Sequence, residues 1–468
     1  MPAYLTNIVP IFIKRIKNPS VLKNILVLGA GRSSVYLIDY LLQHAEIQQW
    51  EVTIADLSAE AAAQKAKGHP NARAIAFDLN NNDLLQAEVQ RTDVVVSLLP
   101  ADMHLPVAQA CVQHGRSLFT ASYVSPGMQA LDADVRAKDL LFLNEIGCDP
   151  GIDHMSAMEL IDEIKANGGK ITAFYSYTGG LVAPACDTNP WHYKFSWNPR
   201  NVVLAGQPGP ARYLANGTVR YVPYARLFNE AARVEVPNFG FLDAYANRDS
   251  LPYQSLYGLE SAHTLLRATF RYPEYCDAWS VMVYLGLTNE QLQFNHCRQM
   301  RYRDLLNACL PPDSTPTVRA GFEKTLREKL HFDATTVTRI TDQFAYLDFF
   351  SERTFSRDQA SAAQLLLDIL QEKWQLETGD RDLVVMQHRF EYELNGEHKV
   401  KTSTLVLEGE NDYHTAMAKT VGLPLAMALR RYLLGEIGLR GVQIPIQPEI
   451  YKPILTELEE WGVKFHHN

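Results

Sequence analysis

Asn24-Ile25-Leu26-Val27-Leu28-Gly29-Ala30-Gly31-Arg32-Ser33-Ser34 is the stretch that decides the fold. A short apolar run of β-favouring residues reads as a buried strand. It runs straight into Gly-Ala-Gly, and a helical pattern follows through Val35, Leu37, Ile38, Leu41 and Leu42. Strand, glycine turn and helix in that order are the context in which a GxG carries meaning. The first glycine permits the tight turn, and the second lets the backbone approach a pyrophosphate at the helix N-terminus. A third glycine is absent, and Ser34 stands in its place.

Working outward, a second strand over Glu51–Ala55 ends at Asp56, and Arg73–Phe77 predicts a third that ends at Asp78. Asp93–Leu99 is an apolar strand stopped by Pro100. A helix over Leu105–Cys111 and two more strands, around Ser117–Ala121 and Leu140–Asn144, complete the alternation. Strands alternating with helices at this spacing predict an α/β, Rossmann-type doubly wound parallel sheet. After about residue 150 the grammar changes. A helix over Met155–Lys165 leads into a Gly/Pro/aromatic-rich region, residues 171 to 247, which reads as irregular antiparallel sheet. Residues 255 to 375 read as mostly helical, with Thr317–Leu330 and Asp358–Glu372 the clearest helices. Asn395-Gly396 between two β-favouring runs is a strong hairpin signal. The expected division is an N-terminal extension (1–22), a dinucleotide-binding domain (23–150), and an α+β substrate and dimerisation domain (151–412) with a helical part at about 280–378. A C-terminal segment (413–468) with an amphipathic helix over Tyr413–Leu434 is expected to return to the first domain.

Composition narrows the class. With 44 basic and 53 acidic residues the net charge is -9, and no basic run stands out, which argues against nucleic acid and anionic membrane as partners. No stretch approaches the roughly 20 apolar residues of a membrane helix. The six cysteines (Cys111, Cys148, Cys186, Cys276, Cys297 and Cys309) show neither CxxC pairs nor zinc-ligand spacing, so no metal is expected and a reducing, cytoplasmic setting is.

Asp56 speaks to cofactor choice. A carboxylate at the end of the second strand accepts hydrogen bonds from an adenosine 2′-hydroxyl and repels a 2′-phosphate. No base follows in Leu57-Ser58-Ala59-Glu60, so NAD is favoured. Arg32 is close enough in sequence to offset the acid, which leaves NADP open. Asp78 reads either as an adenine contact or as an ordinary helix cap. Gly29, Gly31, Arg32, Ser33 and Ser34 form the expected phosphate loop, and Leu99, Pro100, Ser122, Cys148 and Asp149 are further candidates for lining the cofactor.

Two motifs follow parallel strands: Ser122-Tyr123-Val124-Ser125-Pro126, and Asn144-Glu145-Ile146-Gly147-Cys148-Asp149-Pro150-Gly151-Ile152-Asp153-His154. Open α/β sheets bind ligands at the carboxyl ends of their strands. The second motif resembles the signature of the saccharopine dehydrogenases. The likeness continues through Ser176–Leu181, Lys194–Trp197, Tyr245–Ser250, Thr269–Tyr272, Arg381–Val384 and Thr420–Pro424, in the family's order.

The resemblance implies reversible oxidation of saccharopine to an imine, which water splits into glutamate and 2-aminoadipate 6-semialdehyde. A substrate with three carboxylates calls for permanently charged planar donors, and Arg248 and Arg271 are the best placed. Tyr123, Asn247, Thr269 and Trp197 complete the expected cradle. Arg267 is a third candidate, read in preference as a helix-surface arginine. Asp149 resembles the family's active-site acid, with Tyr123 beside it in the pattern. Asp153 and His154 compete for that role, Asp153 also as a helix cap, while His154 and His388 read as structural. Fungal members carry cysteine where Thr178 stands, prefer NADP and lack the acid at Asp56. Lysine breakdown on NAD is therefore the expected direction. The alternatives are a dehydrogenase of another carboxylated secondary amine, such as a carboxylated polyamine, and a non-catalytic NAD-sensing protein. A homodimer formed through the hairpin's sheet is expected.

Overall fold

The computed structural model describes residues 22–207, 209–312 and 314–468. Residues 1–21, which make up nearly all of the expected N-terminal extension, lie outside the described residues. The chain divides into two compact units, one formed by residues up to Asn144 with Leu439–Gln443, the other by Glu145–Gly438 with Ile444–Asn468.

In the first unit the strands are β1 (Lys23–Leu28), β2 (Trp50–Asp56), β3 (Ala72–Ala76), β4 (Val94–Ser97), β5 (Ser117–Thr120) and β6 (Leu141–Leu143). A short strand, Gly441–Gln443, pairs with β6. All the pairings are parallel, and the order from that short strand is β6-β5-β4-β1-β2-β3. Ile25–Leu28 and Val94–Val96 are buried, as strands covered by helices on both faces must be. The order reverses between β1 and β4, and in such sheets the crevice at that switch point takes the ligand.

The second unit is built on a mixed sheet. The long strand β7 (Lys170–Val182) pairs parallel with Thr264–Arg271 and antiparallel with Asp382–Leu394. Asp382–Leu394 turns into Glu397–Glu408 with Leu394 opposite Glu397, so Asn395-Gly396 is the whole loop. Both turn residues have positive φ (55° and 82°), as a type I′ turn requires. Helices Tyr275–Tyr284, Tyr302–Cys309, Val318–Glu328, Ala334–Tyr346 and Ala362–Lys373 contribute to an apolar core that includes Trp191, Trp279 and Trp374.

Three expectations need correction. The units part at Asn144/Glu145, before residue 150. The stretch read as mostly helical from 255 contains the strand Thr264–Arg271. Of residues 413–468, only Leu439–Gln443 joins the parallel sheet's unit. Helix Ala416–Leu433 is buried on most of its surface, so it needs cover on several sides. It packs on Asp382–Leu394 and on helix Pro448–Glu460, which itself packs on helix Ile152–Ala166.

Candidate active site

The phosphate loop is shaped by two glycines with different duties. Gly29 has φ +104°, and a Cβ there would sit 3.1 Å from the Leu98 carbonyl oxygen. A Cβ on Gly31 would meet nothing within 4 Å, so the loop opens at that point onto space where a phosphate could approach the backbone. The turn Arg32–Ser34 runs directly into helix Val35–Gln48, whose first N–H groups have no helical partner. Ser34 is buried and returns its hydroxyl to the Gly31 carbonyl at 2.8 Å, which is how serine serves where a third glycine would stand. Arg32 is exposed and Ser33 half-buried.

Asp56 does more than its position suggested. Its Oδ2 accepts the Ala30 N–H at 2.8 Å and its Oδ1 the Ser58 N–H at 3.0 Å, which ties the glycine loop to the end of β2. Each oxygen retains a second lone pair for a ribose hydroxyl. Asp78 is exposed and accepts both N–H groups of Asn80 at 2.9 Å. The cap of helix Asn82–Gln90 belongs instead to Asn81, which corrects the reading of Asp78 as a helix cap. Leu99 is half-buried and Pro100 exposed beyond β4, and Ser122 and Tyr123 are half-buried beyond β5.

One residue here escaped the sequence reading. His104 is buried with Nδ1 2.9 Å from the Ser97 hydroxyl and Nε2 2.7 Å from that of Ser122, so it links the ends of β4 and β5. Burial lowers its pKa to about 4, so it is neutral at physiological pH. Nothing in the local sequence separates it from an ordinary helix residue.

In the second unit the loop from Glu145 to Gly151 folds back on itself. A Cβ on Gly151 would lie 2.0 Å from the Gly147 oxygen, and its φ is +149°, so only glycine fits. The Gly147 N–H donates to Pro150 O at 2.9 Å and the Ile152 N–H to Gly147 O at 2.8 Å. Helix Ile152–Ala166 starts from this knot. Arg267 reaches it from strand Thr264–Arg271: one guanidinium nitrogen donates to Asp149 at 2.7 Å and to Asp153 at 2.6 Å. The guanidinium also stacks 4.3 Å over the Tyr253 ring. The reading of Arg267 as a helix-surface arginine is thus corrected: it is a buried strand residue between two carboxylates.

Asp153 also accepts the Gly151 N–H at 2.6 Å. Burial pushes its carboxyl up, but His154, Arg267 and that N–H outweigh it and hold the carboxyl below the usual range. His154 is fully enclosed, with Nε2 2.8 Å from Glu145 and Nδ1 against the Tyr257 hydroxyl at 2.5 Å. A carboxylate only accepts, so Nε2 is the donor to Glu145. His388 sits beside the Ser156 hydroxyl at 2.7 Å, and burial lowers its pKa to about 4. Cys148 is buried with Thr420 hydrogen-bonded to it, and burial pushes its thiol far up.

Arg271 lies on the same strand and the same face as Arg267, about 13 Å further on, with Thr269 between them. It is buried, donating to Phe270 O at 2.8 Å and to the Tyr245 hydroxyl at 3.2 Å. The rings of Tyr193, Tyr245 and Tyr275 surround it at 5.2, 5.6 and 5.4 Å. Among the described residues no carboxylate pairs with it, and its Nε has no partner. Thr269 stands opposite Tyr245, and Trp197 donates to the Tyr193 hydroxyl at 3.4 Å, so both join this group. Asn247 donates its N–H to Arg267 O at 2.8 Å, and Arg248 is exposed in the same loop with φ +50°. Among the described residues no three His, Cys, Asp or Glu side chains are arranged to hold a metal.

Two family descriptions match the chain: the saccharopine dehydrogenase NADP binding domain over residues 25–143 and the saccharopine dehydrogenase C-terminal domain over residues 147–463. The chain belongs to the saccharopine dehydrogenase family. This family member is 34% identical over 456 residues to the saccharopine dehydrogenase [NADP(+), L-glutamate-forming] of Pyricularia oryzae, with 94% of this chain and 98% of that protein covered. It is 33% identical to the alpha-aminoadipic semialdehyde synthase of Arabidopsis thaliana, covering 94% of this chain but 44% of that longer protein. The apo saccharopine dehydrogenase (L-Glu forming) of Saccharomyces cerevisiae superposes with a TM-score of 0.84 at 32% identity, covering 95% of this chain and 99% of that one. As a member of the saccharopine dehydrogenase family the chain is an oxidoreductase, and the glycine loop described above fits a nicotinamide dinucleotide.

Proposed function

We propose that the chain interconverts saccharopine with L-glutamate and 2-aminoadipate 6-semialdehyde in lysine metabolism. The observation that carries this reading beyond family membership is Arg271. A buried charge without a counter-ion costs several kcal/mol. The surrounding rings offset only part of that, at about 0.5–2 kcal/mol each. A substrate carboxylate completes the site. With Thr269 on the same strand face, an elongated polycarboxylate can run from Arg271 along the strand towards Asp149. A polyamine would bring positive charge towards Arg271, which disfavours the other carboxylated amines considered. Arg248, Asn247 and Trp197 are the further substrate contacts in this reading.

When bound, a nicotinamide dinucleotide would supply the hydride acceptor that turns the substrate's carbon–nitrogen bond into a cationic double bond. Asp149 supplies a negative charge for that centre and is the group assigned to the protons needed to add water and release glutamate. We assign NAD as the preferred cofactor on Asp56, whose carboxylate disfavours a 2′-phosphate, although the fungal relatives' names specify NADP. The six cysteines are free thiols, in keeping with a cytoplasmic setting, and no described helix is long and apolar enough to cross a membrane. We read the chain as a homodimer formed through the hairpin's sheet, and light scattering of the purified protein tests that.

The test of the substrate assignment is Arg271→Lys and Arg271→Leu. The expected result is a Michaelis constant for saccharopine raised about 100-fold or more by the leucine, with cofactor affinity unchanged. An unaltered Michaelis constant in a folded variant contradicts the assignment.

A further inference from the structure

We propose that Arg267 is a positioning residue, a wedge that presses the Asp149 carboxylate towards the reacting nitrogen by bracing against Asp153. The inference rests on the reading of Asp149 given above and adds the device that aims it.

The two carboxylates Arg267 touches are not equivalent. The Asp153 side chain is 1% exposed and that of Arg267 5%, whereas Asp149 keeps 15%. Asp153 is further fixed through the Gly151 N–H, and its own N–H donates to Cys148 O at 3.1 Å. It is therefore the anchor, and Asp149 is the end open to a ligand. Arg267 is itself immobilised. Its N–H donates to the Ser250 hydroxyl at 3.0 Å, its carbonyl accepts the Asn247 N–H, and Tyr253 lies under its guanidinium. One nitrogen serves both acids, so the position of one carboxylate sets that of the other. Without the cation, two buried like charges would face each other, and Asp149 would swing away or take up a proton. Lysine keeps the charge but not the planar geometry, so it should replace arginine only in part.

Asp149 acts on charge that develops during reaction, so the wedge should affect kcat more than substrate binding. The experiment is a double-mutant cycle of Arg267→Gln and Asp149→Asn in the full chain, with Arg267→Lys alongside. Arg267→Gln is expected to lower kcat about 100-fold, the cost of a misplacement of about 1 Å. The Michaelis constant for saccharopine and the dissociation constant for the dinucleotide should stay within about threefold, and Arg267→Lys should recover roughly a tenfold share. In the Asp149→Asn background, Arg267→Gln should add no further loss. Equal losses in both backgrounds, or a loss confined to the Michaelis constant, overturn the wedge while leaving Asp149 in place. Parental turnover by Asp149→Asn overturns the reading of Asp149, and the wedge with it. If Arg267→Gln does not fold, Arg267→Lys with Asp149→Asn closes the same cycle.

Discussion

Asp56 accepts two backbone N–H groups of its own surroundings and is also the carboxylate assigned to the ribose. The two duties separate experimentally. Asp56→Ala should lower the ratio of kcat/KM for NAD over NADP about tenfold or more, since a hydrogen bond to a charged group is worth roughly 1.5–3 kcal/mol. It should also lower the melting temperature, because Ala30 loses its acceptor. A lower melting temperature with an unchanged ratio reduces Asp56 to a tie for the loop. At this scale the sequence was legible where function and chain order coincide, as in Gly29, Gly31 and the run Asn144–His154. Arg267 was not, although the pattern is there: Arg267, Thr269 and Arg271 alternate with Ala268 and Phe270, the period of a strand. Ala268 and Phe270 face one apolar cluster, which leaves the three polar side chains on the other face. His104 could not have been found, because its partners come from two strands.

The elements differ in how much of their reason is local. The hairpin at Asn395-Gly396 needs only positive φ at two adjacent residues, so the dipeptide announces it. Gly396→Val should destabilise the protein by about 1–2 kcal/mol and leave turnover unchanged, measured by thermal melting and by assay. An altered kcat would mean that the hairpin reaches the site. The strand Thr264–Arg271 owes its existence to β7 and to Gly240–Ala246, both distant in sequence, so periodicity within it was too short to overrule its helical surroundings. The knot at Gly147 and Gly151 is local but stricter than the motif alone conveys. Gly151→Ala places a Cβ inside the Gly147 backbone, so loss of folded protein is expected, read as soluble yield and circular dichroism. A folded, active alanine variant would show that the loop can open.

For the whole molecule, the buried histidines predict the response to acid. His104 and His388 each have a folded pKa of about 4, below the ordinary 6.5, so their stabilising effect is complete above pH 6.5 and is lost as pH falls towards 4. Each amounts to about 3 kcal/mol over that window. Asp382 runs the other way. Burial raises its carboxyl to about 6, against hydrogen bonds from Ala416, Met417 and Ser196, so it gains stability as pH falls from 6 towards its unfolded value. The net effect is a loss in acid. His388→Phe should shrink the fall in melting temperature between pH 7 and 5 by about 2–4 °C relative to the parent chain. An unchanged fall would mean that His388 is protonated in the fold. The chain's class was visible from its first strand onward, because alternating apolar strands and helices specify a parallel sheet without distant information. The partition of the C-terminal residues was not, since it depends on which surfaces the last two helices must cover.

The reaction itself is tested by measuring the reduced cofactor formed from saccharopine by the purified chain at mildly alkaline pH, with NAD and NADP in parallel and glutamate assayed in the product. The expected result is turnover, faster with NAD, with glutamate formed in step with reduced cofactor. Turnover with NADP alone would keep the reaction and overturn the reading of Asp56. Silence with both cofactors, in a preparation that still binds dinucleotide, would contradict the substrate assignment built on Arg271.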